Sequence, residues 1–281
     1  MAPPRSAHPV VLTMRALAVG MAIAAGPAVL WSAALAVNLR VSPSVPWSVL
    51  ASAGMIALLV MSLRRAPSHR LDGAMDGWRW ALPPSDWYYS TVTAAGVIGA
   101  GLCAVLVAQR VGGAPQPAVP EMARTSPWLT TMYVGAGSVV AGAFEEVGFR
   151  GYLQSRLVGL WGRSFSWCGV AGGFALLHVG QPSFPYVALV YVGTSLALSA
   201  LVDVCGSVWP GALAHVLVDG ASFGMVLSTA TAQVPTAGNL TLPDATLFQT
   251  LAAGALAALV ARHGYRQLDL LRVTASSDSA E

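Results

Sequence analysis

Long apolar stretches alternate with short polar ones along the whole chain. A run of ~20 apolar residues is what an α-helix needs to cross a hydrocarbon core about 30 Å thick. At that length the pattern predicts spans near 17–38, 45–63, 88–108, 128–148, 165–180, 186–204, 208–227 and 246–261. The fifth is short, and the seventh carries His215 and Asp219. The expected architecture is an all-α, polytopic transmembrane helical bundle of about eight spans, one membrane domain over residues 1–281. The first apolar run follows Arg5 and Arg15 as a signal peptide would. It continues through Trp31 to Val37, well past the usual ~7–15 apolar residues, and so reads as an anchor.

Composition sharpens this picture. Hydrophobic residues make up 55% and charged residues 10% of the 281, too few charges to cover a soluble surface of this size. A formal net charge of +3, with no basic cluster interleaved with exposed aromatics, gives no footing for nucleic acid. Cys103, Cys168 and Cys205 are odd in number and widely spaced, which suits small buried hydrophobes rather than a disulfide framework or a thiolate metal site. All 15 basic residues are arginine, and with the abundant alanine this points to a bacterial source.

The arginines also orient the expected bundle. With the N-terminus inside, Arg5, Arg15, Arg64, Arg65, Arg70, Arg79, Arg150, Arg156, Arg163, Arg262, Arg266 and Arg272 fall on the cytoplasmic side, and only Arg40, Arg110 and Arg124 outside. That bias places both termini in the cytoplasm of a multi-pass cell-membrane protein. Trp78, Trp80, Trp87, Tyr88 and Tyr89 suit an interfacial belt. Residues 66–87 and 150–164 are the cytoplasmic stretches long enough to lie on the membrane surface, and 109–127 and 228–245 read as irregular outer loops.

Ionisable residues inside apolar spans are expensive, and each is a functional hypothesis by default. Three groups interrupt the pattern. FEEVGFRGYLQ gives Glu145, Glu146 and Arg150, with Glu146 and Arg150 at i,i+4 on one face, ready to pair. Glu145 lies about 100° round from Glu146, so the two acids need not share a job. FALLHVG sets Phe174 one turn before His178. WPGALAHVLVDGASF sets His215 and Asp219 at i,i+4, with Ser207 as a cap and Pro210 in the opening turn. Taken singly, each group has a plainer reading: interfacial charges, a satisfied core histidine, a His–Asp pair joining two helices. At ~1.5 Å per residue, Glu145 and His178 both lie about 20 Å in from the cytoplasmic end, whereas His215 lies near 10 Å. Bringing the three together therefore needs the His215 helix to start deeper, or a cavity open to the cytoplasm.

In order, spacing and membrane setting, Glu145–Glu146–x3–Arg150, Phe174–x3–His178 and His215–x3–Asp219 resemble the motifs of the CPBP family of intramembrane proteases. This is the CAAX-protease and bacteriocin-processing, or Abi, family, which includes the Rce1-type prenyl-protein endopeptidases. The resemblance covers about residues 128–227, the catalytic core it implies. It further implies that Glu145 is the catalytic base on a water shared with His178, and that Glu146 and Arg150 are a structural pair. His215 and Asp219 match the pair assigned to the tetrahedral oxyanion, with Phe174 in support. An ionised Asp219 has only acceptors to offer, so it is expected to orient His215 rather than donate. No cofactor is implied. The competing zinc reading takes Glu145, His178 and His215 as a His2Glu ligand set, although HExxH is absent. A serine mechanism fits less well, since no GxSxG occurs and the Gly193–Thr194–Ser195 run has no base placed by sequence. The expected partners are the lipid bilayer and a membrane-associated peptide or protein substrate. A prenylated CaaX protein is less expected in a bacterium than a processed peptide or regulatory membrane protein. The reading from another class is a non-proteolytic scaffold, immunity protein or proton-coupled transporter using the buried acids as a relay.

Overall fold

Pro9 opens the first helix, where a missing N–H costs nothing because the first-turn donors lack intrahelical partners anyway. His8 Nδ1 accepts from the Val10 N–H at 3.3 Å. The structure, a computed structural model, describes residues 8–65, 84–112, 125–181, 184–231 and 244–278. Among these the helices are α1 (Pro9–Val41), α2 (Trp47–Arg65), α3 (Pro84–Gly112), α4 (Pro127–Glu146), α5 (Gln154–Trp161), α6 (Arg163–His178), α7 (Phe184–Cys205), α8 (Trp209–Thr231) and α9 (Asp244–Asp278). A π-helical segment, Val147–Leu153, joins α4 to α5 without a break. The all-α expectation holds over the described residues.

Side chains and glycines set the corners. Buried Asn38 closes the α1–α2 hairpin by donating to the Ser42 and Val45 carbonyls, each at 2.8 Å, and accepting from the Ser48 N–H at 2.9 Å. Ser126 caps α4 through the Leu129 N–H at 3.4 Å, and Pro127 follows at the first helical position. Gly162 (φ 79°) separates α5 from α6 and Gly206 (φ 67°) separates α7 from α8, both in backbone territory that a side chain resists.

Two apolar clusters hold the helices. One joins α3, α7, α8 and α9 through Val97, Ile98, Leu198, Leu201, Ala214 and Leu268. The other joins α1, the π segment, α5 and α6 through Ala24, Phe149, Leu153, Leu157, Val170 and Phe174. Polar ties then bring a set of helix ends to one side of the bundle. Trp161 Nε1 donates to Thr13 Oγ1 at 2.7 Å, Trp167 Nε1 to Asp203 Oδ2 at 2.8 Å, and the Tyr265 hydroxyl to the Ala197 carbonyl at 2.5 Å. The start of α1, the end of α5, the start of α6, the end of α7 and the later part of α9 therefore share one end. They carry Arg15, Arg156, Arg163, Arg262 and Arg266 there.

The expectation of about eight spans does not survive. Among the described residues three helices are long and apolar enough to cross a membrane: Pro9–Val41, Trp87–Ala108 and Phe184–Cys205. The chain is thus multi-pass, with fewer spans than its hydropathy promised. The physical reasons differ by segment. α6 has 16 residues, about 24 Å at ~1.5 Å per residue, less than the hydrocarbon thickness. α4 runs straight into Glu145, Glu146 and Arg150, all buried, and its exposed apolar residues such as Trp128 lie ahead of that buried stretch. In α2 the apolar helix Trp47–Met61 is short, and in α9 the run ends at Arg262 and His263. Exposed Trp87 and Tyr88 at the start of the second span fit the aromatic belt, whereas Tyr89 packs into the first cluster. Trp78, Trp80, Arg70, Arg79 and Arg124, with most of the expected loops 66–87, 109–127 and 228–245, lie outside the described residues.

Candidate active site

The glutamate motif lies where the helix changes pitch. The Gln154 N–H reaches back to the Phe149 carbonyl, an i→i−5 bond that widens the turn. Two features of the sequence accommodate this. Gly148 meets α1 so closely that a Cβ would come within 2.6 Å of the Gly20 carbonyl oxygen. Phe149 and Leu153, both fully buried, fill the space against Phe174 and α1. The sequence predicted one helix from Trp128 to about Leu160. The run is helical throughout, with the π segment in its middle.

Glu146 is fully buried, and its Oε1 accepts twice, from Arg150 Nη1 at 2.9 Å and from His215 Nδ1 at 3.0 Å. Arg150, also buried, turns Nη2 to Ser195 Oγ at 2.9 Å and stacks its guanidinium over Phe174, 4.9 Å from the ring centroid. His215 therefore has a carboxylate at each ring nitrogen. Glu146 is at Nδ1, while Asp219 Oδ2 at 3.6 Å and Glu145 Oε2 at 3.9 Å lie on the Nε2 side. A neutral imidazole has one donor and satisfies one side; a doubly protonated ring satisfies both. The expected i,i+4 pair of Glu146 and Arg150 is present, and Glu145 meets the opposite edge of the same imidazole. The carboxylate that orients His215 most directly, however, is Glu146 rather than Asp219.

His178 is the last residue of α6, and its Nδ1 lies 2.8 Å from the Phe174 carbonyl oxygen, which can only accept. Nδ1 is therefore the protonated nitrogen. The ring is flanked by Phe174 (centroids 4.6 Å) and by Tyr191 (4.5 Å), and Phe174 in turn lies 6.4 Å from the His215 ring. Phe174 is thus the shared wall between the two histidines.

The depth mismatch of His215 resolves through the start of α8. Val208, just ahead of that helix, packs against Val147 of the π segment, and a Cβ on Gly142 would meet the Val216 backbone N at 2.8 Å. Hence α8 begins alongside the middle of the glutamate helix, well inside the level at which α5 ends. Ser207 Oγ accepts from the Trp209 N–H at 3.3 Å, and Pro210 sits in the opening turn, as the sequence suggested.

Several neighbours were not singled out by the sequence. Gln154 Nε2 donates to the Ser199 carbonyl at 2.8 Å and to Asp203 Oδ1 at 2.9 Å, tying α5 to α7. Its signal was present, because Gln154 follows Glu146 and Arg150 at successive i,i+4 steps. Ser195 and Tyr191 form an i,i+4 pair on α7, but an apolar run with two hydroxyls carries no spacing that points to a partner. Ser195 spends its hydroxyl oxygen on Arg150, which leaves the serine mechanism without support.

The zinc set is not assembled. Among the described residues no group of three or more His, Cys, Asp or Glu side chains is arranged to hold a metal ion. His178 turns Nδ1 to a backbone carbonyl and His215 turns Nδ1 to Glu146.

With this geometry in place, the comparison with known families is specific. Residues 127–221 match the family model described as Type II CAAX prenyl endopeptidase Rce1-like. The likeness to that family is confined to this segment, about a third of the chain. All seven motif residues, Glu145, Glu146, Arg150, Phe174, His178, His215 and Asp219, lie within the matched segment. No curated protein and no solved structure matches the chain. The cluster of His215, Glu145 and Glu146 lies within the Rce1-like segment, a placement consistent with a catalytic site.

Proposed function

We propose that this protein is a CPBP-type intramembrane endopeptidase that hydrolyses a peptide bond of a membrane-associated peptide or protein, with a water activated by Glu145 and His178 and no metal. The observation that carries the reading is Glu145 itself. Its Oε2 is buried, has no hydrogen-bond partner in the protein, and lies beside His215 inside the Rce1-like segment. A buried carboxylate oxygen left unpaired costs on the order of 1–3 kcal/mol, a cost that a general base repays by taking a proton from water.

The residues divide the work as follows. Glu145 accepts one proton of the water while the remaining hydroxide adds to the scissile carbonyl carbon. His178, with Nδ1 protonated, presents Nε2 as an acceptor that orients the same water. His215 donates from Nε2 to the oxyanion, which requires the doubly protonated ring that Glu146, Asp219 and Glu145 together favour. Collapse of the tetrahedral adduct breaks the C–N bond, and the proton held by Glu145 passes to the departing amine. Arg150 balances Glu146 and, through Ser195 and Phe174, keeps the pair in register.

The arginine-bearing end of the bundle faces the cytoplasm in this reading, with both termini on that side of a bacterial cell membrane, and the described helices form one membrane domain. The test is comparative membrane proteomics of cells carrying wild type or E145Q at equal protein level. A precursor that accumulates only with E145Q, and is cleaved by purified wild type, supports an endopeptidase. Identical proteomes together with a retained phenotype would leave a scaffold or immunity role instead.

A further inference from the structure

A closed circuit of contacts surrounds His178 and passes through a residue outside the three motifs. The Gln181 N–H donates to the His178 carbonyl at 3.0 Å, just beyond the end of α6. Gln181 Oε1 accepts from the Tyr191 hydroxyl at 2.8 Å. The Tyr191 ring, carried by α7, lies 4.5 Å from the His178 ring at an interplanar angle of 36°, and meets Phe174 edge-on at 6.0 Å. His178 thus ends a helix, where the backbone frays most readily, yet its ring is held by a second helix and by a residue three positions later in the chain.

We infer that Tyr191, tied down by Gln181, is a positioning residue that holds the His178 ring with Nδ1 on the Phe174 carbonyl and Nε2 free as the acceptor. The inference rests on the proteolytic reading only for its kinetic consequence; the tautomer is a property of the folded protein. The hydrogen bond from Nδ1 alone does not fix the ring, because rotation about Cβ–Cγ carries Nδ1 away from the carbonyl and brings Nε2–H into play. Phe174 and His178 share a helix and move together when its last turn loosens. Tyr191 does not share that helix, so its tilted ring contact opposes the rotation in a way that Phe174 cannot. Its ring supplies the wall, and the Gln181 bond sets where that wall stands.

The test uses the full chain, labelled with 15N-histidine in detergent, with His178 assigned by loss of its signal in H178Q. Ring 15N shifts separate the Nδ1–H tautomer from the Nε2–H tautomer. Wild type is expected to give Nδ1–H almost alone, and Y191L a mixture with a substantial Nε2–H share. Y191F, which keeps the ring and loses the tie, should fall between them. With a cleaved substrate in hand, Y191L should lose about 10- to 100-fold in kcat with KM held, the scale of a small misplacement at a reacting centre. Should Y191L not fold, Q181A decides, since Gln181 is exposed and its loss removes only the hydroxyl's acceptor. An Nε2–H signal emerging in Q181A is the expected result. An unchanged wild-type tautomer in Y191L, or in Q181A where Y191L does not fold, overturns the inference. So does a loss in Y191L that falls on KM alone. Absence of any proteolysis would leave the spectra to decide this point, and would count against the proposed function instead.

Discussion

His215 Nδ1 lies 3.0 Å from Glu146 Oε1, across 69 positions of chain. That contact joins the first motif to the third, and it makes Glu146 more than the partner of Arg150. One carboxylate oxygen accepts from a guanidinium and an imidazole together, so the charge that stabilises the helix also sets the orientation of His215. Removing that charge should therefore be felt in chemistry as well as in assembly. E146Q keeps an acceptor oxygen but not the charge, and is expected to lower kcat by at least ~10-fold, within the range assigned to a positioned acid–base group. Steady-state kinetics on folded E146Q checks this; wild-type turnover would reduce Glu146 to a structural role.

Arg150 is expected to act mainly on stability. R150A leaves Glu146 buried beside His215 without its guanidinium, and loss of one partner of a buried pair costs ~3–5 kcal/mol. Ser195 also loses its partner. Thermal melting in detergent should show a large drop for R150A, and E146Q/R150Q should recover part of it by removing the stranded charge. A normal melt for R150A contradicts the burial on which the site depends.

Close approach of α1 to the π segment yields a prediction independent of catalysis. A Cβ on Gly148 would stand 2.6 Å from the Gly20 carbonyl oxygen and 2.8 Å from the Ala24 N, both backbone atoms that cannot swing aside. G148A should destabilise by ~1–3 kcal/mol, the usual cost of overpacking. Gly54 has nothing within 4 Å, so G54A is the matched control and should melt at or above wild type. Equal melting of the two variants would mean that α1 is not seated on the π segment.

Why these features were or were not legible follows from the kind of signal each leaves. Helical content and the i,i+4 pairs Glu146–Arg150 and His215–Asp219 are local, and local spacing carries them. The number of spans was over-read because apolar runs count as spans by hydropathy even where helix ends and charged residues cut them short, as in α6, in α2 and at Arg262 of α9. The link from His215 to Glu146 was hidden because it depends on where α8 starts, and Gly206, Ser207 and Val208 set that depth through packing on Val147. The π segment was equally hidden, since the i,i+4 spacing of Glu146, Arg150 and Gln154 reads as an ordinary α-helix. Tyr191 and Ser195 look like ordinary polar guests in an apolar helix until α6 and the π segment are set beside them.

Orientation rests on where the arginines collect. In a background lacking Cys103, Cys168 and Cys205, single cysteines at Arg15 and Arg163 should resist a membrane-impermeant thiol reagent in intact cells and react after lysis. A cysteine at Arg40, at the far end of α1, should react in intact cells. Labelling of position 163 from outside would reverse the proposed polarity.

Metal and mechanism are separated by one set of measurements. Exhaustive chelation should leave turnover intact, because among the described residues Glu145, His178 and His215 are not arranged as a ligand set. E145Q should abolish turnover while folding and substrate binding remain, since the amide keeps the shape but cannot take a proton. H215A should lose on the order of 3–4 kcal/mol of transition-state stabilisation, as when an oxyanion donor is removed elsewhere. D219N then reports the charge state of His215. If Glu146 alone fixed a neutral ring, asparagine in place of Asp219 would lower activity only modestly. Asp219 Oδ2 lies on the Nε2 side at 3.6 Å, however, where its charge supports the second ring proton. D219N is therefore expected to be costly in kcat, with KM nearly unchanged, because the donor to the oxyanion is what it weakens. The double variant E146Q/D219N should be little worse than the more damaging single change, since both act on the same imidazole. Zinc that copurifies in stoichiometric amount, leaves with activity on chelation and restores it on return would replace this account with a metal-based one.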